Sequence, residues 1–112
     1  MTESNKIVSV ITCDVEGRIE TFNKNAEKLF GYTEDELVGK KRVSLFSPGM
    51  IVLGHIETWL KNAREKKKGH KTETVFVRKD GSEFAAKITL TATMKDGKHI
   101  EYCGRTTELP DV

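Results

Sequence analysis

The chain has 112 residues, of which 37% are hydrophobic and 32% charged, a composition typical of one small folded domain rather than a disordered segment. Its net charge of +2 gives no electrostatic reason to expect binding to nucleic acid or to a membrane surface. No apolar run approaches the roughly 20 residues of a membrane span, and the N-terminal sequence MTESNK lacks the apolar segment of a signal peptide. We therefore expect a cytoplasmic protein with a single domain over residues 1–112, whose folded core covers about 6–107.

The first quarter of the sequence predicts a β-hairpin followed by a short helix. Residues 7–13 (IVSVITC) are rich in β-branched side chains, and residues 14–17 turn the chain into a second strand at 18–22. Asn23 stands where the helix must begin, and asparagine is among the best N-cap residues. Apolar residues at positions 26, 29 and 30 have helical spacing, and Gly31 ends the helix.

The segment GYTEDELVGK, residues 31–40, predicts a second short helix. Thr33 and Glu36 have the spacing of a capping box, and Gly39 follows as a stop. A longer helix should then run from about residue 50 to Gly69, with Ile56 at the centre of its buried face. The other members of this apolar arc are Val52, Leu53, Trp59, Leu60 and Ala63.

The last third of the chain predicts three strands joined by two tight turns. Residues 72–79 and 83–93 alternate in polarity, and the KDGS sequence between them is typical of a hairpin because Asp-Gly accepts positive φ. A second Asp-Gly turn at 96–97 leads into a strand at 99–107. Five strands with helices inserted between the second and third predict an α+β fold, with one antiparallel sheet and all helices on one face.

The order of these elements, a strand, a helix that begins at Asn23, the GYTEDELVGK segment, a longer helix and the KDGS hairpin, resembles the PAS domain family. The resemblance covers nearly the whole chain. It implies the PAS fold, a five-stranded antiparallel sheet with short helices and one long helix packed on one face. It also implies a sensory or interaction domain, either free-standing or, as we expect, the input part of a larger regulator such as a two-component sensor histidine kinase or a cyclase regulator.

PAS relatives bind a haem, a flavin or a small metabolite between the sheet and the long helix. The residues expected to contact such a ligand are Asn23, His55, Ile56, Trp59, Leu60, Ile88, Leu90 and Tyr102, and the expected lining also includes Ile11, Ile19 and Val52. Inward-facing apolar residues are needed for folding in any case. A packed, ligand-free core therefore explains the same residues.

Particular residues bear on whether the domain binds haem or flavin. His55 lies on the predicted long helix, where haem-binding PAS domains place their axial histidine, so a haem b gas or redox sensor is one alternative. Its position at the margin of the apolar arc favours a partly exposed structural histidine instead. The light-oxygen-voltage subfamily needs a cysteine where this chain has Arg42, which excludes a cysteinyl adduct there and leaves non-covalent flavin. His70 and His99 are expected to be exposed, and the three histidines lack metal-site spacing.

The outer face of the sheet is expected to meet a second copy of the chain. Its predicted residues are Val8, Val10, Ala85, Thr89, Thr91 and Cys103. PAS relatives commonly cover this face with a flanking helix or a second protomer, so a homodimerisation module is the rival to ligand sensing. Cys13 and Cys103 could form a redox pair only if their strands are neighbours. No nucleophile, phosphate-loop or metalloprotease motif is present, and we expect no catalytic activity.

Overall fold

The computed structural model describes residues 8–46, 58–59, 61–65 and 69–110, with backbone alone at 99 and 100. The strands are β1 (Ser9–Cys13), β2 (Ile19–Phe22), β3 (His70–Val77), β4 (Glu83–Lys95) and β5 (Lys98–Glu108). They form one sheet in the order β2-β1-β5-β4-β3, and every neighbouring pair is antiparallel. The predicted five-stranded antiparallel fold is therefore confirmed.

The described helices between β2 and residue 46 are short. They are α1 (Lys24–Phe30), α2 (Glu34–Leu37) and a 3-10 turn at Val43–Phe46. Residues 58–59 and 61–65 are helical and belong to the predicted long helix. The predicted start of that helix near residue 50, with His55, Ile56 and Leu60, lies outside the described residues.

Asn23 caps α1 and also connects it to β1. Its Oδ1 accepts from the Ala26 amide at 2.8 Å, as predicted, and from the Val10 amide at 3.0 Å. Its Nδ2 donates to the Val8 carbonyl at 3.4 Å. The helix ends at Gly31, where φ is 85° and the amide donates to the Glu27 carbonyl. One side chain therefore fixes both the start of the helix and its position on the sheet.

Both predicted Asp-Gly turns form. In the β3–β4 hairpin, the Arg78 amide donates to the Ser82 carbonyl at 2.8 Å and Gly81 has a φ of 90°. In the β4–β5 hairpin, Asp96 and Gly97 both have positive φ, the geometry that closes a two-residue hairpin loop. The strands extend beyond the prediction, however. β3 begins at His70 instead of residue 72, and β4 continues to Lys95, because pairing with β5 extends its ladder.

The tip of the β3–β4 hairpin packs against the C-terminal end of α1. The Lys79 amide donates to the Phe30 carbonyl at 2.9 Å, and Arg78 Nε donates to the Leu29 carbonyl at 3.0 Å. The last carbonyls of a helix have no partner within the helix, so these two bonds satisfy groups that would otherwise face solvent or the core unpaired. Lys79 Nζ also pairs with the Glu36 carboxylate of α2.

The core between the helices and the sheet is rich in phenylalanine. Phe30 is 1% exposed and lies at the centre of the cluster, with ring centroids 4.3 Å from Phe46 and 5.5 Å from Phe84. Phe22 and Phe76 complete it. α1 thus contributes its apolar face to the same layer that the alternating residues of β4 fill from the sheet side.

Candidate functional site

A small cavity of about 50 Å³ lies in the core against the inner face of the sheet. Its described lining consists of Ile11, Cys13, Phe30, Val43, Phe46, Trp59, Phe76, Ile88, Leu90, Gly104 and Thr106. Apart from the Thr106 hydroxyl, the Cys13 thiol and the indole N–H of Trp59, these side chains are apolar. The cavity is therefore suited to a small apolar molecule.

Gly104 makes room for this cavity. It stands on β5 at the middle of the sheet, where Ile11 of β1 and Leu90 of β4 are its direct neighbours. A Cβ at this position would lie 3.3 Å from Leu90 Cδ2 and 3.5 Å from Ile88 Cδ1. Because no side chain occupies this place, the inner face of the sheet has a depression between two large aliphatic residues.

The predicted contact residues divide between the cavity and other sites. Trp59, Ile88 and Leu90 line it. Asn23 is engaged with β1 and α1, and Tyr102, which is 2% exposed, is buried without being part of the described lining. The remaining three predicted contacts, His55, Ile56 and Leu60, lie outside the described residues. Of the wider expected lining, Ile11 contributes and Ile19 is buried elsewhere in the core.

Neither the aromatic half of the lining nor Gly104 was predicted from the sequence. Phe30, Phe46 and Phe76 lie on a helix, a 3-10 turn and a strand, yet their rings converge on one side of the cavity. A signal for this was available, since Phe30 and Phe46 each end an element that packs on the sheet and Phe76 occupies an inward position of β3. For Gly104 the only signal is a glycine within a strand pattern, which marks a close approach or a bulge.

His70 is not exposed, and the prediction that it would be is wrong. β3 begins two residues earlier than expected, so position 70 joins the inner row of the strand and pairs with Leu90. The imidazole stacks on the Trp59 indole, with centroids 6.2 Å apart and planes at 24°. Asn62 Nδ2 lies 3.3 Å from Nδ1. Nε2 is closed to solvent and has no hydrogen-bond partner.

Cys13 lines the cavity as a neutral thiol. Burial raises its pKa to about 12, and the nearby carboxylates of Asp14, Glu20 and Glu101 act in the same direction. Cys103 lies on the neighbouring strand, opposite Thr12, whereas Cys13 is opposite Tyr102. The two thiols therefore point to opposite faces of the sheet, and a redox pair between them is excluded.

The outer sheet face mixes apolar, hydroxyl and charged side chains. Val10 is half-buried and lies beside Arg105, and the exposed Ala85 pairs with Val75, which is 40% exposed. Thr21, Thr12, Cys103 and Thr91 are direct neighbours across four strands, and the first two share a hydrogen bond of 2.6 Å. All six predicted residues of this face are half-buried or exposed.

The described residues do not fit a haem or a flavin in this cavity. Pockets for ligands of that size are roughly 300–1,000 Å³, several times the volume present here. The neutral Cys13 thiol is also unsuited to binding iron. Across 8–46, 58–59, 61–65 and 69–110, no three histidine, cysteine or acidic side chains are placed to hold a metal ion. Within the same ranges, no helix has the length and apolarity to cross a membrane.

Residues 7–105 match the sequence model of the PAS domain family over most of the chain. This chain belongs to the PAS domain family. Two-component system protein A of Emericella nidulans is 27% identical over 115 residues, which cover 99% of this chain. The chain spans only 16% of that relative's length.

Solved structures of other PAS domains share the fold. The PAS domain of a protein from Colwellia psychrerythraea has a TM-score of 0.81 at 22% identity, with 92% of this chain and 86% of that chain covered. The LOV domain of the blue-light activated histidine kinase of Erythrobacter litoralis has a TM-score of 0.70 at 16% identity, with 92% and 96% covered. At these identities the likeness establishes the architecture of this PAS domain and nothing of its ligand.

Proposed function

We propose that this PAS domain is the input module of a larger signalling protein and that it senses a small ligand in the cavity beside Gly104. The observation that carries the proposal is an apolar cavity in the core, between the sheet and the aromatic cluster. Protein interiors are close-packed, and a void of this kind sacrifices contacts that a ligand would restore. The relationship to a two-component system protein supports a role in signal input.

The proposed mechanism is a shift between conformations of the domain. Phe30 lines the cavity, and its carbonyl accepts the hydrogen bond from Lys79 in the β3–β4 hairpin. Arg78 of the same hairpin pairs with Glu108 at the end of β5, at 3.0 Å. A ligand that displaces the Phe30 ring would favour one arrangement of α1, the hairpin and the end of β5 over another.

A test of ligand binding follows from Gly104. Methyl resonances of Ile88 and Leu90 should shift when 2-methylpropene, a small apolar probe, is dissolved in a solution of labelled protein. Gly104→Ala should fill the depression. The affinity for the probe, measured from these shifts in a titration, should then fall at least about tenfold. The variant should remain folded, since Leu90 Cδ2 is the flexible end of a side chain and φ at 104 is not positive. Thr91→Ala on the outer face is the control, and equal binding by both variants would contradict the proposal.

The cofactor alternatives are separated by an absorbance spectrum of the purified protein. A Soret band lost in His55→Ala would support haem, and flavin peaks would support non-covalent flavin. We expect neither, because the cavity is too small for either group without opening. Stoichiometric haem uptake that depends on His55 would overturn this expectation.

A second candidate function is homodimerisation through the outer sheet face. It is favoured by the apolar side chains there, since Val75 is 40% exposed and packs beside the exposed Ala85. Apolar residues on a fully solvated face are usually isolated. Ligand sensing and dimerisation use opposite faces of one sheet and are compatible.

A further inference from the structure

We propose that His70 is the polar anchor of the cavity ligand and that the ligand is a small neutral molecule with an acceptor oxygen, such as a ketone, aldehyde or alcohol. This inference rests on the proposed sensing function and adds the chemical class of the ligand. It starts from one atom, the Nε2 of His70, which is closed to solvent and makes no hydrogen bond. A buried polar atom without a partner costs folding free energy, so its retention needs a reason.

The imidazole adjoins two residues of the cavity wall. Its neighbours Trp59 and Leu90 both line the cavity, the first through ring stacking at 6.2 Å and the second as the paired residue on β4. His70 itself is not part of the described lining, so contact between Nε2 and a ligand requires Trp59 or Leu90 to move. The side of the cavity formed by Phe30, Phe46 and Phe76 offers no hydrogen-bonding group, and elsewhere the Cys13 thiol and the Thr106 hydroxyl line it.

The contact with Asn62 determines whether Nε2 of His70 is a donor or an acceptor. Asn62 Nδ2 lies 3.3 Å from Nδ1 of His70, an arrangement in which Nδ1 accepts and Nε2 carries the proton. A histidine whose second nitrogen is held in this way has a fixed ring orientation and tautomer. Nε2–H is then a donor without an acceptor, and a ligand oxygen would supply one. The apolar walls require the rest of that ligand to be apolar and uncharged.

The experiment compares acetone with 2-methylpropene, which has the same shape but a methylene group in place of the oxygen. Both are titrated by NMR at about pH 8, where free imidazole is neutral, into the parent chain, His70→Phe and Thr72→Val. His70→Phe keeps an aromatic ring on Trp59 and removes the nitrogen. Thr72→Val removes a polar group from the next inward position of β3, where the side chain is half-buried, and serves as the control.

We expect the acetone-to-methylpropene affinity ratio to fall about tenfold in His70→Phe and to stay at the parent value in Thr72→Val. In the parent, acetone should shift the Nε2 resonance of His70 and the indole N–H resonance of Trp59. An unchanged ratio, with Leu90 methyl shifts retained, would overturn the role of His70 while leaving a ligand-binding cavity. If neither probe moved those methyl resonances, both proposals would fail.

If His70→Phe does not fold, the Nε2 resonance of the parent protein tests the role of His70 instead. An Nε2 resonance that shifts in proportion to the acetone bound, and does not respond to 2-methylpropene, would support the inference. An Nε2 resonance that does not respond to saturating acetone would overturn it.

Discussion

At the scale of single residues, Asn23 makes more hydrogen bonds than a residue that only caps a helix. Replacement by alanine removes the acceptor for the Ala26 and Val10 amides and the donor to the Val8 carbonyl. We expect a loss of about 2–3 kcal/mol in the free energy of unfolding, a cap bond plus an unpaired strand amide. Urea denaturation measures it. Asn25→Ala, which loses only a bond of 3.2 Å to Val8, is the control and should cost less than half as much.

Glu20 gives the domain a predictable pH dependence. Desolvation, followed by the carboxylates of Glu101 and Asp14, raises its pKa above the ordinary 4.5. The folded state therefore holds this proton more tightly than the unfolded chain does, so the stabilisation is present below about pH 4.5 and is lost as the pH rises through the higher folded pKa.

Glu20→Gln should accordingly stabilise the domain at neutral pH. The side chain is exposed, so screening limits the gain to on the order of 0.5 kcal/mol. The gain should disappear below about pH 4.5, where the parent carboxyl is protonated. Thermal unfolding at pH 4 and pH 7 tests this, with the exposed Glu83→Gln as control. A Glu20 variant less stable than the parent at neutral pH would contradict the assignment.

Local residue chemistry predicted the caps and turns but not the residues that act across the fold. Asn23 and Gly31 were identifiable because capping depends on adjacent residues. The bonds from Asn23 to β1 were not, because they join residues 13 and 15 positions apart. His70 was misplaced because the start of a strand has no local signal comparable to a cap, and a shift of two residues changed an exposed helix end into an inward strand position.

At the scale of elements, the β3–β4 hairpin and α1 form one unit held by Arg78. The guanidinium donates to Leu29, lies 4.2 Å from the Phe84 ring and pairs with Glu108. Arg78→Met should cost about 1.5–3 kcal/mol, since a charge-assisted bond to a helix end is lost. Hydrogen exchange at the Lys79 amide, which is bonded to Phe30, should accelerate.

The control for this prediction is Lys87→Met, which removes an exposed cation from β4. It should change neither the unfolding midpoint in urea nor the exchange of the Lys79 amide by a measurable amount. If Arg78→Met behaved in the same way, the hairpin would not depend on Arg78 for its attachment to α1.

The sequence predicted the strands and hairpins more reliably than their lengths or contacts. Alternation identified β4, and two Asp-Gly pairs fixed both hairpins, because these signals lie within a few residues of one another. The extension of β4 to Lys95 was not predictable, since it depends on pairing with β5. Attachment of the hairpin to α1 joins residues 49 positions apart and left no pattern in the sequence.

At the scale of the whole molecule, the outer sheet face should determine the assembly state. Val10→Lys places a cation beside Arg105 on the neighbouring strand, so a dimer through this face would meet unpaired like charges. If the parent chain forms the dimer proposed above, the mass measured by light scattering should fall from dimer to monomer in Val10→Lys. Met94→Lys, a change at a 51% exposed apolar residue near the end of β4, is the control and should keep the parent mass. A dimer that persists in Val10→Lys would exclude this interface.

The cavity could be predicted only in part. Alternation in β4 correctly assigned Ile88 and Leu90 to the inner face, and the helical arc placed Trp59 inward. The volume itself depends on a missing side chain at Gly104 and on three aromatic rings from separate elements. A sequence pattern records which residues face inward, but not how completely they fill the space between them.

The strand order has a consequence for synthesis of the domain. β5 pairs with β1 on one side and with β4 on the other, and Ile11 meets Gly104 only when the last strand has emerged from the ribosome. Until then, a nascent chain would present unpaired edges on β1 and β4, which are templates for pairing with other chains. Contacts so distant in sequence also form slowly, because closing a long loop costs entropy. We therefore expect a polypeptide truncated before Lys98 to aggregate rather than to fold into a smaller sheet.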